Sequence, residues 1–254
     1  MGRGRYALYS VLAVIGFIAI WQLASASANP KLFPPPSQVL TSFWDLARSG
    51  TLGTAVGASL RRVLLGWLLG SVIAIPLGIL AGTSRAARAI IDPFIHFFRF
   101  VPALALISLF ILWFGVGESS KINLVAYAAG FIITVTTASG AASVPADKVN
   151  AARCLGATRL QVLRRVVIPS TVPSIFTGMR LALANAFLVI VAAEALATQS
   201  GIGYLIWNAR NFFRTDQIFV GIICFGLLGF LGDRLWKLLG TRVLGRYMRA
   251  SGGY

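Results

Sequence analysis

Six apolar segments, each close to the length that crosses a lipid bilayer, constrain this sequence more than any other feature. A transmembrane helix needs about 20 largely apolar residues in a row. The segments that meet or approach this length cover residues 6–26, 63–82, 100–114, 121–142, 175–198 and 217–239. We therefore predict an all-α membrane protein with six transmembrane helices, of which the third is the shortest.

The composition supports a single membrane domain over 1–254. Hydrophobic residues make up 57% of the chain and charged residues 12%, about half the charged fraction of a soluble domain. The net charge of +16 does not indicate a nucleic-acid partner, because the Lys and Arg residues stand at the ends of apolar segments rather than in a stripe with aromatic residues. We divide the domain into an N-terminal helix with an interfacial segment (1–62), core helices (63–239) and a tail (240–254).

The basic residues also predict how the chain is oriented, since cytoplasmic loops of membrane proteins carry an excess of Lys and Arg. With six spans and a cytoplasmic N-terminus, fourteen of the 23 basic residues fall inside and seven outside, Arg62 and Lys121 among the latter. Arg99 and Arg180 are kept apart as residues within the membrane or at its boundary. We predict that both termini, and the polar loop around Asn150, lie in the cytoplasm.

The segment between the first two spans combines an extended stretch with an amphipathic helix. Three consecutive prolines, Pro34, Pro35 and Pro36, favour an extended chain, and Ser37 is predicted to cap the helix that follows. The apolar side chains of that helix fall on one face, which is typical of a helix that lies in the membrane interface.

The polar stretch 145–173 predicts a helix–turn–helix elbow in water at the membrane surface. Pro145 suits a first helical position and Gly156 a left-handed C-terminal stop, so the first helix is predicted over 145–155. Thr158 and Gln161 have the spacing of a capping box that opens the second helix, and Pro169 is predicted to end it. Charge alone leaves an ordinary basic cytoplasmic loop as the alternative.

The spacing within this elbow resembles the EAA loop of ABC importer permeases. It consists of Asn150-Ala151-Ala152, then Gly156, then a Val-Val-Ile-Pro sequence that ends at Pro169. In that family the loop forms the coupling helix that docks on a cytoplasmic ATPase; small residues permit close approach, and the glycine permits a corner. Asn150 stands where the family has glutamate, so the ion pair of that glutamate is lost or moves to Asp147. The resemblance assigns coupling to Asp147, Asn150, Ala151, Ala152, Gly156, Ala157 and Thr158.

Further short stretches extend the resemblance over nearly the whole chain. They are Phe33-Pro34-Pro35-Pro36, the run from Arg99 to Gly117, Gly117-Glu118-Ser119-Ser120-Lys121-Ile122, Ala193-Glu194 and Ser200-Gly201-Ile202-Gly203-Tyr204. These resemble the branch of ABC permeases that imports sulfonates, taurine, nitrate or bicarbonate. The resemblance implies a six-helix type I ABC importer fold with a periplasmic-side amphipathic helix, and a homodimer in the bacterial cytoplasmic (inner) membrane, in contact with membrane lipid. It also implies two cytoplasmic ABC ATPase subunits, a periplasmic or lipid-anchored solute-binding protein, and no cofactor in this chain, since ATP and Mg²⁺ bind the partner ATPases.

Arg99 and Pro102 are the first candidates for a substrate pathway or gate. A charge within the membrane is a functional candidate, and a guanidinium suits an oxyanion. Pro102 breaks the first helical turn, which is tolerated in a membrane only inside protein or beside water. The alternative is that the Arg99 side chain reaches up to the lipid headgroups.

The second group of pathway candidates lies on and after the fifth span. Arg180 and Glu194 share that helix at about 20 Å from each other, so they cannot pair along it. Glu194 is interpreted either as a hydrogen-bonding residue between helices or as part of a gate. Gly201 and Gly203 belong to the aromatic segment 200–214, which is either an outer gate or an interfacial belt.

The residue types argue against catalysis by the chain itself. His96 is the only histidine, no serine or cysteine has a base at a motif spacing, and neither a metal-ligand cluster nor a Gly-rich phosphate loop is present. A secondary transporter is the main rival class, but it needs coupling-ion carboxylates and usually an internal repeat. We expect a non-catalytic permease subunit that carries a small oxyanion, with aliphatic sulfonates or taurine as leading candidates and nitrate or bicarbonate as alternatives.

Overall fold

The computed structural model describes residues 3–243 and Gly245, and this part of the chain consists of helices and short connections. The N-terminal half contains α1 (Arg3–Ser27), α2 (Pro36–Arg48), α3 (Thr51–Thr83), α4 (Arg85–Phe98), a 3₁₀ turn (Ala103–Leu106), α5 (Ile107–Phe114) and α6 (Glu118–Ala142). The C-terminal half contains α7 (Ala146–Cys154), α8 (Arg159–Val162), a π-helical turn (Leu163–Val167), α9 (Ile168–Ala197), α10 (Ile202–Asn211) and α11 (Thr215–Val243). Residues 244 and 246–254 of the predicted tail lie outside the described part.

By length and composition, the described helices include four that are able to cross a bilayer: α3, α6, the continuous helix from α8 into α9, and α11. Helices α4 and α5 pass the same test as a pair, but they meet at 88°. A single third span over 100–114 was therefore a wrong prediction. Pro102 has no N–H to donate and disfavours a helical conformation at Val101, so the chain turns there. The apolar stretch described in α1, Val11–Ser27, is clearly shorter than the four spans, and the count of six spans stays a prediction.

The centre of the fold is the packing of α3 against α6, with α9 beside them. Glycines of α3 face α6 at helical spacing, and they permit the two backbones to approach closely, as small residues do between membrane helices. A Cβ atom on Gly66 would lie 2.6 Å from the carbonyl oxygen of Ile122, and one on Gly70 would lie 2.6 Å from that of Ala126. Gly78 and Gly82 continue the same close approach towards the other end of α6.

The interfacial segment differs from the prediction at the start of its helix. Helix α2 begins at Pro36, with Pro35 as its extended N-cap, so Ser37 does not cap it. The reason is that proline is well suited to a first helical position, where its missing N–H would have no helical partner. The segment is held by Trp21, whose Nε1 donates to the carbonyl of Pro34 at 3.1 Å and whose ring stacks on Phe219 of α11.

Candidate functional site

A cluster of three charges, of which those of Arg62 and Glu194 are buried and that of Glu118 is partly exposed, joins three helices at one end of the bundle. The side chain of Arg62 on α3 is 1% exposed, and that of Glu194 on α9 is 0% exposed. Arg62 Nη1 donates to Glu194 Oε1 at 2.8 Å, while Nε and Nη2 donate to the two carboxylate oxygens of Glu118, on α6, at 2.8 and 2.6 Å. One guanidinium thus serves two carboxylates, and its planar fork binds one of them in a bidentate manner.

The same cluster holds the connection between α9 and α10. Arg62 donates to the carbonyl and to the hydroxyl of Ser200 at 2.8 and 2.7 Å. The hydroxyl of Ser59 donates to the Glu194 carboxylate and accepts the backbone N–H of Ile202 at 2.9 Å. The start of α10 is therefore fixed to α3 and α9 through a network in which each polar group has a partner.

The two glycines of this connection are required by their surroundings. Gly201 has φ of +108°, a left-handed conformation that side chains rarely adopt, and a Cβ atom there would run into the carboxylate of Glu194. The backbone N–H of Gly203 donates to Glu194 Oε2 at 3.0 Å. A Cβ atom on Gly203 would collide with the carbonyl of Val191. Both glycines thus allow the backbone to close around the buried carboxylate.

Sequence reasoning identified Glu194, Gly201 and Gly203 separately, and the structure brings them together. It missed Arg62, which the charge distribution placed with Lys121 on the outer side of the membrane. Both cations are instead buried, and Lys121 Nζ donates to the carbonyls that precede α6. The sequence did show that Arg62 and Glu194 are charged residues next to apolar segments. The residues around each of them, however, did not indicate that the two side chains form an ion pair.

A second feature is a cavity of about 570 Å³ between the α4–α5 bend and helices α6 and α9. Its lining is mostly apolar and aromatic, and Arg99 and Pro102 both contribute to it, together with the amide side chain of Asn185. The Arg99 guanidinium lies 4.6 Å from the centre of the Phe100 ring. The hydroxyl of Tyr127 donates to the carbonyl of Phe98 at 3.0 Å and so fixes the bend to α6.

Arg180 lies apart from both features. It forms a bidentate ion pair with Asp233 of α11, in which Nη2 lies 2.7 Å from Oδ2, and both side chains are about two-fifths exposed. Arg180 belongs neither to the buried cluster nor to the lining of the cavity at Arg99. The predicted pathway residues therefore occupy three separate places in the fold.

The third feature is the elbow, whose local structure follows the sequence closely. Helix α7 ends at Cys154, and Gly156 has φ of +81°, the predicted left-handed stop. The capping box is present: the N–H of Thr158 donates to Gln161 Oε1 at 2.7 Å, and the N–H of Gln161 donates to Thr158 Oγ1 at 3.3 Å. The stop at Gly156 and the capping box are therefore confirmed. The first helix is one residue shorter at each end than predicted, because Pro145 is its N-cap rather than its first helical residue and Leu155 is its C-cap.

One face of the elbow is packed and the other is open. Asp147, Asn150 and Ala151 are exposed, as are Gly156 and Thr158, whereas Ala152 and Ala157 are half-buried. The packed face contacts a small apolar cluster at the ends of α6 and α8, formed by Ala141, Val162 and Val167. The elbow thus presents the exposed side of α7 away from the membrane-spanning helices.

Pro169 does not end the second helix of the elbow, contrary to the prediction. The helix runs without a break from Arg159 to Leu196 and passes through the π-helical turn Leu163–Val167 just before the proline. A π turn changes the backbone hydrogen-bond spacing, which lets the helix pass a residue that has no N–H. As a result, α9 connects the elbow rigidly to Glu194 in the buried cluster.

The exposed helical corner of the elbow continues directly into a membrane-spanning helix. Comparison with known proteins specifies the family: residues 74–245 match the binding-protein-dependent transport system inner membrane component, and the chain belongs to this family. Its members are ABC permease subunits that do not catalyse a reaction, and partner ATPases hydrolyse ATP.

Curated relatives are similar to this chain over most of its length. The putative aliphatic sulfonates transport permease protein SsuC of Bacillus subtilis is 38% identical over 96% of this chain and 89% of its own. The taurine transport system permease protein TauC of Escherichia coli is 36% identical, over 91% and 86%. The nitrate import permease protein NrtB of Leptolyngbya laminosa is 34% identical, over 94% and 88%.

Solved structures agree on the fold. In an inward-facing conformation of the MetNI methionine ABC transporter, the matching chain has a TM-score of 0.62 at 20% identity. The match covers 74% of this chain and 95% of that one. This likeness shows the type I ABC importer fold that the sequence resemblance implied.

Proposed function

We propose that this chain is the membrane subunit of an ATP-driven importer of small oxyanions, with aliphatic sulfonates and taurine as the leading substrates. The observation that carries the proposal is the cavity at the α4–α5 bend, where the guanidinium of Arg99 borders a mostly apolar wall. A guanidinium binds sulfonate-type oxygens with charge-assisted hydrogen bonds. Relatives named for aliphatic sulfonates, taurine and nitrate support an anionic substrate.

The position of this cavity along the helices supports a place on the transport path. Tyr127 lies nine residues into α6, or about 14 Å from its start, and Asn185 lies about 18 Å before the end of α9. Both lining residues are therefore near the middle of helices that cross the bilayer. A cation at that depth is costly unless it faces a polar or water-filled space, which favours a pathway role for Arg99 and Pro102.

Membership of the ABC permease family supports the rest of the proposed transporter. We place the chain in the bacterial inner membrane with both termini in the cytoplasm, as a homodimer with two ATPases that bind ATP and Mg²⁺, and with a solute-binding protein outside. The exposed face of α7 with Asp147, Asn150 and Ala151, and the corner at Gly156, Ala157 and Thr158, would dock on the ATPase. Closure of the ATPases would move α9 through the elbow, and the buried cluster at Glu194, Gly201 and Gly203 would hold the outer end of the path. Arg180 is the one predicted pathway residue that we do not place on this route.

The proposal is tested by ATP hydrolysis in liposomes that contain this chain and its genomically adjacent ATPase. Candidate binding proteins are added with taurine, an alkanesulfonate or nitrate bound. We expect one sulfonate-loaded binding protein to stimulate hydrolysis. Stimulation by a nitrate-loaded protein instead would overturn the choice of sulfonate, and failure to form a complex with any ATPase would favour a secondary transporter.

The role of Arg99 is tested by uptake in the same liposomes. Arg99→Gln removes the charge and should reduce substrate uptake by about tenfold or more, because a hydrogen bond to a charged group contributes about 1.5–3 kcal/mol. Arg85→Gln, an equal change of charge on an exposed residue of α4, is the control and should leave uptake unchanged. Equal uptake by both variants would refute the pathway role of Arg99.

A further inference from the structure

A second cavity lies between the elbow and the ends of the membrane-spanning helices, away from the transport path. Its volume is about 900 Å³, and its walls come from the end of α3, the end of α6, α7 and the start of the helix α8. The floor of the cavity is apolar and includes Val144, Val149, Val162 and Leu163. It shares Ala157 and Thr158 with the corner of the elbow, but it has no residue in common with the cavity at Arg99 or with the cluster at Arg62 and Glu194.

The rim of this cavity is cationic and rich in hydroxyl groups. Arg153 and Arg159 line it, and within the described residues neither guanidinium donates a hydrogen bond or forms an ion pair. Neither aspartate nor glutamate is among the residues that line the cavity. Two arginines without a carboxylate partner, above an apolar floor, leave a site that is complementary to an amphipathic anion.

Two hydroxyl groups that line the cavity, those of Ser84 and Thr158, are able to donate to such an anion. Ser84 Oγ accepts the N–H of Ala87 at 3.3 Å, and Thr158 Oγ1 accepts the N–H of Gln161 at 3.3 Å. In the part of the chain that the structure describes, neither hydroxyl donates a hydrogen bond. A hydroxyl group has one proton to donate, so both retain it for a ligand in the cavity.

The position of the cavity identifies the kind of anion. Helix α3 ends at Thr83 and α6 ends at Ala142, and the cavity opens between these two ends. The ends of membrane-spanning helices lie at the level of the lipid headgroups. Anionic lipids attract basic side chains at this level.

We propose that this cavity binds the headgroup of an anionic phospholipid. The lipid phosphate is bound by Arg153 and Arg159 and accepts the free protons of Ser84 and Thr158, and the glycerol and first methylene groups cover the apolar floor. A lipid in this place contacts both the elbow and the end of α3. It therefore fixes the position of the coupling helix relative to the membrane core.

The test uses the isolated full-length chain in lipid nanodiscs, followed by native mass spectrometry of the lipid that stays bound. Nanodiscs contain either phosphatidylglycerol with phosphatidylcholine or phosphatidylcholine alone. We expect the unchanged chain to retain phosphatidylglycerol and the double variant Arg153→Gln/Arg159→Gln to retain it about tenfold less, because two charge-assisted contacts are lost. Equal retention by the two chains would overturn the proposal.

A matched control distinguishes binding of the lipid at a specific site from the general attraction between basic residues and anionic lipids. Arg164→Gln/Arg165→Gln removes the same charge from exposed residues of the same segment that do not line the cavity. This variant should retain phosphatidylglycerol like the unchanged chain, and an equal loss would refute a specific site. Thermal unfolding of both variants confirms that they fold. Because no ATPase or substrate is present, the result is independent of the proposed importer function.

Discussion

The clearest test of the fold is the removal of Arg62 from the buried cluster. In Arg62→Met the carboxylate of Glu194, at 0% exposure, loses its cation and keeps the Ser59 hydroxyl and the Gly203 N–H as donors. Lys121 does not replace the arginine, since its ammonium group donates to the carbonyls of Val116 and Gly117. Removing one partner of a buried pair costs about 3–5 kcal/mol, and we expect the free energy of unfolding to fall by this amount.

Removal of the carboxylate of Glu194 instead of the guanidinium of Arg62 should lower the free energy of unfolding by less, because Arg62 has further acceptors. In Glu194→Leu the guanidinium of Arg62 keeps both oxygens of Glu118 and the carbonyl of Ser200 as acceptors. We expect a loss of about 2–3 kcal/mol from the hydrogen bonds to a charged group. In the double variant Arg62→Met/Glu194→Leu no buried charge is left alone, so its loss should be smaller than the sum of the two single losses by about 2–3 kcal/mol.

The assay is the free energy of unfolding in bicelles, measured by titration with a denaturing detergent. Arg61→Met is the matched control: Arg61 is the exposed neighbour of Arg62, and its replacement should change the free energy by about 0.5 kcal/mol or less. Strict additivity of the two single changes would refute the argument, and so would equal losses for Arg61→Met and Arg62→Met.

Three further predictions concern the helix contact and the elbow. Gly70→Ala places a methyl group against the carbonyl of Ala126 and should lower the free energy of unfolding by about 1–3 kcal/mol. In the control Gly57→Ala the added methyl group meets nothing within 4 Å and should not destabilise the protein. Thermal unfolding measures both variants, and equal melting temperatures would contradict the close packing. Gly156→Pro should leave membrane insertion intact but abolish co-purification with the ATPase, and normal co-purification would argue against the elbow as the docking element. Thr158→Ala removes the helix cap and should cost about 1 kcal/mol, seen as faster amide hydrogen exchange at the start of α8; unchanged exchange would count against the capping box.

Features encoded by neighbouring residues were predictable from the sequence. The long apolar helices, the stop at Gly156 and the capping box of Thr158 each depend on side chains within a few residues of one another. The pattern of the elbow also led to the correct family. Local chemistry decides these features, so no knowledge of distant contacts was needed.

Features that depend on long-range packing were not predictable. Arg62 and Glu194 are separated by 132 residues, and only the packing of α3 against α9 brings them together. The 88° bend between α4 and α5 and the π turn before Pro169 are responses of the backbone to proline within a packed bundle. Proline signals a break in the sequence, but the tertiary surroundings decide whether the chain turns or continues.

We propose that ATP, hydrolysed by a partner chain, drives an oxyanion through this subunit. The most direct measurement is uptake of a labelled alkanesulfonate into liposomes that contain this chain, its ATPase and the binding protein, with Mg-ATP supplied on the ATPase side. We expect accumulation that requires ATP, the ATPase and the binding protein together. Accumulation driven by an ion gradient without the ATPase would contradict it.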